Sequence, residues 1–232
     1  MLSSTSTLQN SQLVLNIVFT FTDVPGLDGA YQAAIADTVR SPLSRGHMNP
    51  VGLNTFSKDF MKATFTFSNA VPQFETSNCG PWERFEARLQ KYAKTGCGSE
   101  GGTLYLLTGK SDYGVRIQGN THVQDTTIPL PYLRHDFLGN LVLGTPRAVW
   151  TAGCCVWAEP GKNMGRSLPA KKAESFAVIS NNQNDKTLLH QTEMSVSQLE
   201  RILKPPGSLV DVKLFPGNEN CGSAKNSITL PQ

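Results

Sequence analysis

The segment Ala148–Ala158 (AVWTAGCCVWA) constrains the fold most. It carries no charged side chain and reads as the central strand of a sheet. No apolar run in the chain reaches the roughly 18 residues that a membrane-spanning helix requires. A central strand needs neighbours. Residues 103–108 (TLYLLT) read as a buried strand ended by Gly109, and residues 175–180 (SFAVIS) as a third. Residues 210–215 (VDVKLF) alternate like a closing strand, and residues 63–67 (ATFTF) like a strand ended by Pro72. Residues 13–21 (LVLNIVFTF) are rich in strand formers. The same run also fits the apolar core of a signal peptide, one without the usual cationic start.

Helical spacing appears in three places. Tyr31, Ile35 and Val39 fall at steps of four within residues 27–40. Trp82, Phe85, Leu89 and Tyr92 line one face of residues 80–93, with Pro81 near the start. Ser195 and Gln198 form a capping box ahead of Leu199, Ile202 and Leu203, and Pro205 and Pro206 stop that helix. Residues 111–142 read as loop with short strands, and residues 160–170 as a polar loop. Strands and helices mix without a regular βαβ rhythm, so the class is α+β with a mostly antiparallel sheet and flanking helices.

The chain has 232 residues, enough for one large domain. Its net charge of +3 does not by itself argue for nucleic acid. Five cysteines are too few for a small disulfide scaffold and odd in number. Neither a Cys-x-x-Cys nor a paired-His motif points to zinc.

The chemistry concentrates in residues 44–86. His47 carries the side chain best suited to take a proton from water near pH 7. Asn78 offers a neutral carbonyl oxygen, a hard ligand of the kind Mg²⁺ accepts while keeping most of its waters. Glu86 follows eight residues on, about 12 Å along the axis if all of them were helical. Arg45 and Arg84 could meet phosphate oxygens. Each residue also has a plain structural reading: Asn78 as a helix cap, Glu86 as a solvated helix residue, Trp82 as core.

The ordered set is more specific than its members. Arg45-Gly46-His47, then Asn69-x-x-Pro72-Gln73, then Asn78, Trp82 and Glu86 resemble the DNA/RNA non-specific endonuclease family, the ββα-metal or His-Me finger nucleases. Three later segments resemble its endonuclease domain-containing 1 subgroup: residues 105–109 (YLLTG), residues 149–152 (VWTA) with Cys154-Cys155, and residues 214–216 (LFP). The resemblance covers residues 28–222, leaving 1–27 as an N-terminal segment, diverged or truncated, and 223–232 as a C-terminal tail.

The resemblance implies a ββα-metal active-site unit that hydrolyses phosphodiester bonds in DNA and RNA. His47 would be the general base and Asn78 the protein ligand of one hydrated Mg²⁺ or similar ion such as Mn²⁺. Glu86 would hold a water at that ion, and Asn69 would steady the site. Arg45 and Gln73 would frame it. Contact with backbone phosphates implies little sequence preference. Two positions depart from the family pattern. Ser44 stands where an acidic residue usually precedes Arg-Gly-His, and no Arg precedes Arg40, although the family usually carries one on an upstream strand. Arg84 or Arg134 are the candidates to replace it. These departures motivate an alternative: a secreted protein of the same fold, weakened or inactive in catalysis, that binds rather than cuts. The family points to the secretory route, where disulfides persist. A Cys79–Cys97 bridge and a pair drawn from Cys154, Cys155 and Cys221 are the expected pairings, with one thiol to spare.

Overall fold

The computed structural model describes residues 4–9, 12–16, 43–66, 69–128, 133–135, 141–158 and 171–232. The strands in chain order are β1 (Ser4–Gln9), β2 (Gln12–Asn16), β3 (Leu43–His47), β4 (Ala70–Phe74), β5 (Thr103–Ser111), β6 (Gly114–Gln118), β7 (Thr121–Asp125), β8 (Leu133–His135), β9 (Leu141–Gly144), β10 (Ala148–Ala158), β11 (Lys171–Asn181) and β12 (Gln191–Met194). The helices that matter below are α1 (Lys58–Ala63), α2 (Glu83–Tyr92) and α3 (Val196–Leu203). The class is α+β, with antiparallel strand pairing throughout the main sheet.

That sheet runs in the order β12-β11-β10-β5-β1-β2, so the uncharged β10 lies in its interior between β5 and β11. Alternation along β10 explains why the run holds no charge. Val149 and Cys155 face a core with Leu104, Leu106, Phe176 and Val178, and this core is closed by Phe85, Leu89 and Tyr92 of α2. Ala148, Trp150 and Ala152 face a second core with Ala177 and Ile179, closed by Leu199, Ile202 and Leu203 of α3. A strand covered on both faces has no side left for a charge, and its one polar side chain, Thr151, shares a hydrogen bond with Thr108 of β5. The capping box at the start of α3 is formed as expected, by Ser195 and Gln198. The loop expected over residues 111–142 carries the short strand pairs β6–β7 and β8–β9, the last ending at Gly144.

The cysteines follow the same alternation. Cys154 and Cys155 are neighbours on β10 and point to opposite faces. Cys155 bonds Cys97 and Cys154 bonds Cys221, while Cys79 is free and exposed. The expected Cys79–Cys97 bridge is therefore wrong. Cys97 ends the segment after α2 on the buried side, where β10 presents Cys155, whereas Cys79 lies on the exposed side of the chain before α2. The Cys154–Cys221 pair and the single spare thiol agree with expectation.

Two expected strands are not strands. Residue 63 ends α1, and residues 64–66 form the turn that closes it. The Thr64 hydroxyl donates to Met61 O at 2.7 Å and the Phe65 amide to Lys62 O at 3.0 Å. These local bonds take the backbone groups that a strand would have offered to a neighbour. The strand lies further on, as β4, and contains Pro72 instead of ending at it. Proline is tolerated because β4 has β3 on one side only. Its other edge is covered by Asn182, which accepts from the Phe74 amide at 2.9 Å and donates to Pro72 O at 2.9 Å. Residues 210–215 form a loop with no partner strand among the described residues. It is held instead by the Glu200 carboxylate, which accepts from the Leu214 amide at 2.9 Å.

In the N-terminal region, Leu13 to Asn16 lie in β2 at the sheet edge, in line with the strand reading. The helix expected over residues 27–40 and the loop over 160–170 lie outside the described residues. Residues 223–232 pack back onto the domain. Leu230 is buried, and Arg88 of α2 donates to Leu230 O at 2.6 Å and to Pro231 O at 3.2 Å while pairing with Glu193.

Candidate active site

The hairpin β3–β4 and helix α2 carry the candidate residues. Register sets Ser44 opposite Gln73, Arg45 opposite Pro72, and His47 opposite Ala70. Because side chains alternate along a strand, Ser44 and Gly46 project to one side and Arg45 and His47 to the other. The backbone is tightest at Gly46. A Cβ there would fall 1.8 Å from Oε1 of Gln73, whose side chain is fully buried. Only glycine leaves room for that amide, which accounts for Gly46 between Arg45 and His47.

Between β4 and α2 the chain makes a helical turn, Glu75–Ser77, and then breaks. Cys79 and Gly80 leave helical geometry, at φ −84° and ψ 17° and at φ −124° and ψ −109°. Pro81 follows and the helix restarts. Asn78 sits just ahead of this break. Its backbone N–H closes the Glu75–Ser77 turn by donating to Glu75 O, and its side chain is turned to the hairpin. Its Nδ2 donates to Ser44 Oγ at 3.0 Å, and Ser44 Oγ donates to Gln73 O at 3.2 Å. The Ser44 hydroxyl has a single proton and gives it to a carbonyl, so it can only accept from Asn78. The amide group facing Ser44 is therefore NH₂, and the carbonyl Oδ1 faces away from β3.

His47 is half-buried. Burial holds its imidazole below its ordinary pKa, so it is neutral at neutral pH. Its ring meets Phe65 edge-to-face, with centroids 5.1 Å apart. The backbone just beyond it is pinned by Asn69. Asn69 Oδ1 accepts from the Asn49 amide at 2.8 Å, and Nδ2 donates to Asn49 O at 3.0 Å and to Thr64 O at 2.8 Å. Asn54 adds a bond to Asn49 Oδ1 at 2.9 Å. Asn69 thus holds the loop that leaves His47, and the buried Asn49 and Asn54, bonded to each other, complete this group of amides.

Glu86 shares the inner side of α2 with Trp82, four residues before it. Burial, with a smaller contribution from Glu83, raises its carboxyl pKa to about 7 against the opposing effect of a hydrogen bond from the Trp82 side chain. Arg84, two residues from each, is exposed on the other side of the helix. Arg45 is half-buried on β3. The side chain of Arg134 lies outside what the structure describes. The fold therefore joins Ser44, Gly46, Gln73 and Asn78 by direct contact and braces His47 through Asn69, while Arg84 makes no described contact with that group. The role of Ser44 was legible only as a departure from the family pattern, since nothing in the sequence shows that its hydroxyl reaches Asn78.

The sequence profile described as DNA/RNA non-specific endonuclease matches residues 3–210. The chain is similar to the mitochondrial nuclease EXOG of Mus musculus, 45% identical over 62 residues, which is 27% of this chain and 17% of that protein. The Homo sapiens protein of that name gives the same identity, length and coverage. The Xenopus laevis protein is 41% identical over 70 residues, 30% of this chain and 20% of its own length. The matched stretch thus spans a fifth or less of these curated relatives. Among solved structures, a chain in the crystal structure of the EndoG/EndoGI complex superposes with a TM-score of 0.42 at 19% identity, covering 72% of this chain and 59% of that one. The profile match extends over most of the sequence, and the chain belongs to the DNA/RNA non-specific endonuclease family.

Proposed function

We propose that the protein is a divalent-cation-dependent endonuclease that hydrolyses backbone phosphodiester bonds in both DNA and RNA. The observation that carries this reading is the Ser44–Asn78 contact, which ties the candidate metal ligand to the strand that also bears His47, in a chain that matches the nuclease family over residues 3–210. The donor chemistry fits a hard cation. Asn78 Oδ1 and the Glu86 carboxylate both offer hard oxygen atoms, and no group of three or more His, Cys, Asp or Glu side chains forms a cage among the described residues. A single protein oxygen with the remaining positions left to water and substrate phosphate suits Mg²⁺, which keeps several of its waters, and Mn²⁺ tolerates it. Asn78 would hold the ion and Glu86 would hold water beside it. When bound, the ion supplies positive charge against the scissile phosphate and the leaving oxygen.

The protein's own groups do the rest. His47, neutral at the working pH, takes the proton from the attacking water. Asn69 keeps the loop beyond His47 in place, and Arg45 contributes charge toward the phosphate. The chemistry is confined to phosphate, so neither base nor sugar identity is needed for cleavage. The two disulfides support an oxidising compartment, in keeping with the secretory route.

Incubation with supercoiled plasmid and Mg²⁺, with EDTA and His47→Ala controls, tests the reading. Cleavage that needs both the cation and His47 is expected. An intact plasmid at high protein, or equal cleavage by the variant, overturns it. Salt-sensitive binding without cleavage would instead mark a binding protein of the same fold.

A further inference from the structure

Three phenylalanines between β3 and β4 are left at the surface: Phe56 is 44% exposed, Phe60 36% and Phe65 66%. The rings of Phe56 and Phe60 lie against each other with centroids 5.2 Å apart, and Phe65 lies against His47. A single exposed Phe is ordinary. Three within residues 56–65 are not: two are paired with each other and the third lies on the candidate base, which puts exposed apolar rings next to the site. The segment's own core anchor is Leu53, which is buried, so these rings are not what fixes the loop. The segment that carries them is cationic. Residues 43–66 carry Arg45, Lys58 and Lys62 against Asp59, a net +2 out of +3 for the whole chain. Lys58 and Lys62 are exposed one turn apart on α1.

We infer that Phe56, Phe60 and Phe65 form a stacking platform for unpaired bases of a single-stranded nucleic acid, with Lys58 and Lys62 attracting its phosphates. The inference rests on the phosphodiester-cleaving reading of the site and adds a substrate class to it. Phenylalanine has no hydrogen-bonding group, so such a platform accepts any base and reads none. A base inside a duplex has both faces covered by its neighbours, which leaves single strands and frayed ends as the ligands that fit. The edge-to-face contact with His47 leaves most of the Phe65 ring open. A base stacked there places its own phosphates next to the imidazole, so the platform sets which linkage reaches the site.

The test is fluorescence anisotropy in EDTA with three probes: an oligo-dT strand, an abasic strand of equal length and charge, and a duplex. Wild-type protein is expected to bind oligo-dT roughly tenfold more tightly than the abasic strand for each base that stacks. Phe65→Ala should remove much of that difference and Phe56→Ala/Phe60→Ala the remainder, with abasic and duplex binding little changed. Phe65→Trp should keep the preference, which separates stacking from a folding defect. Equal binding of the two single strands by wild type overturns the platform, as does a parallel loss for both in the variants. The plasmid assay reports separately. A base preference without cleavage removes the nuclease reading alone, and cleavage without a base preference removes the platform alone.

Discussion

Ser44 Oγ accepts from Asn78 Nδ2 at 3.0 Å while giving its own proton to Gln73 O. A position that departs from the family's usual acidic residue still presents an acceptor to the candidate metal ligand. Losing an outer partner of this kind typically costs about 10- to 100-fold in metal affinity or activity. Ser44→Ala is expected to fall in that range, because Asn78 is then free to rotate its amide. Ser44→Asp, whose carboxylate also accepts from an NH₂, should stay within a few-fold of wild type. Mg²⁺ titrations of plasmid cleavage for the three proteins check this. Similar Mg²⁺ dependence in all of them would show that Ser44 does not orient Asn78.

Gly46 and Gln73 should be coupled in stability. An added methyl at position 46 meets Gln73 Oε1 at 1.8 Å and Cδ at 2.6 Å, and Gln73 is fully enclosed and cannot swing into solvent. Overpacking of this kind costs about 1–3 kcal/mol. Gly46→Ala is therefore expected to lower the urea midpoint clearly. In the Gly46→Ala/Gln73→Ala double variant the clash is absent, so its loss should be smaller than the sum of the two single losses. Simple additivity would mean that the two side chains do not compete for the same space.

What was legible in the sequence follows from how local each signal is. The uncharged β10, the apolar stripe of α2 and the capping box of α3 are set by residues adjacent in sequence or one helical turn apart, and the structure forms all three. The order of candidate site residues was legible because their spacings repeat a family pattern. Residues 63–67 misled because alternation does not tell a strand from a helix end that satisfies its own carbonyls, as Thr64 does with Met61. Residues 210–215 misled because a strand needs a neighbour, and the neighbour here is one carboxylate, Glu200. The Cys97–Cys155 bridge and the Ser44–Asn78 contact depend on groups 58 and 34 residues apart, and no local pattern encodes such a meeting.

The disulfides lead to a prediction about the thiols. The loops that they close span 58 and 67 residues, for which chain-entropy arguments give about 4 kcal/mol of stabilisation each. Titration of the unreduced, denatured protein should find one reactive thiol, and Cys79→Ser should abolish it with little effect on the urea midpoint. Cys97→Ser/Cys155→Ser and Cys154→Ser/Cys221→Ser should each lower stability by an amount of the stated order. Three reactive thiols in wild type, or a large loss from Cys79→Ser, would contradict the pairing.

Glu86 gives stability a particular pH dependence. Its carboxyl is raised from 4.5 to about 7 in the folded state, chiefly by burial. The folded protein therefore holds a proton at Glu86 that the unfolded chain has lost once the pH passes 4.5. The contribution is fully present below that value, declines as the pH rises, and is lost through about 7. Above that window the charged, buried carboxylate costs about 3 kcal/mol. Glu86→Gln carries no charge at any pH. In EDTA it is expected to match wild type near pH 4 and to be more stable by up to about 3 kcal/mol near pH 8. A divalent cation beside the carboxylate would oppose the burial effect, so Mg²⁺ should narrow the gap at pH 8 and release a proton on binding at pH 6.5. Urea unfolding at the two extremes checks the first part, and calorimetry in buffers of different ionisation enthalpy checks the second. A stability difference between wild type and Glu86→Gln that does not change with pH would show that Glu86 is not held in its protonated form by the fold.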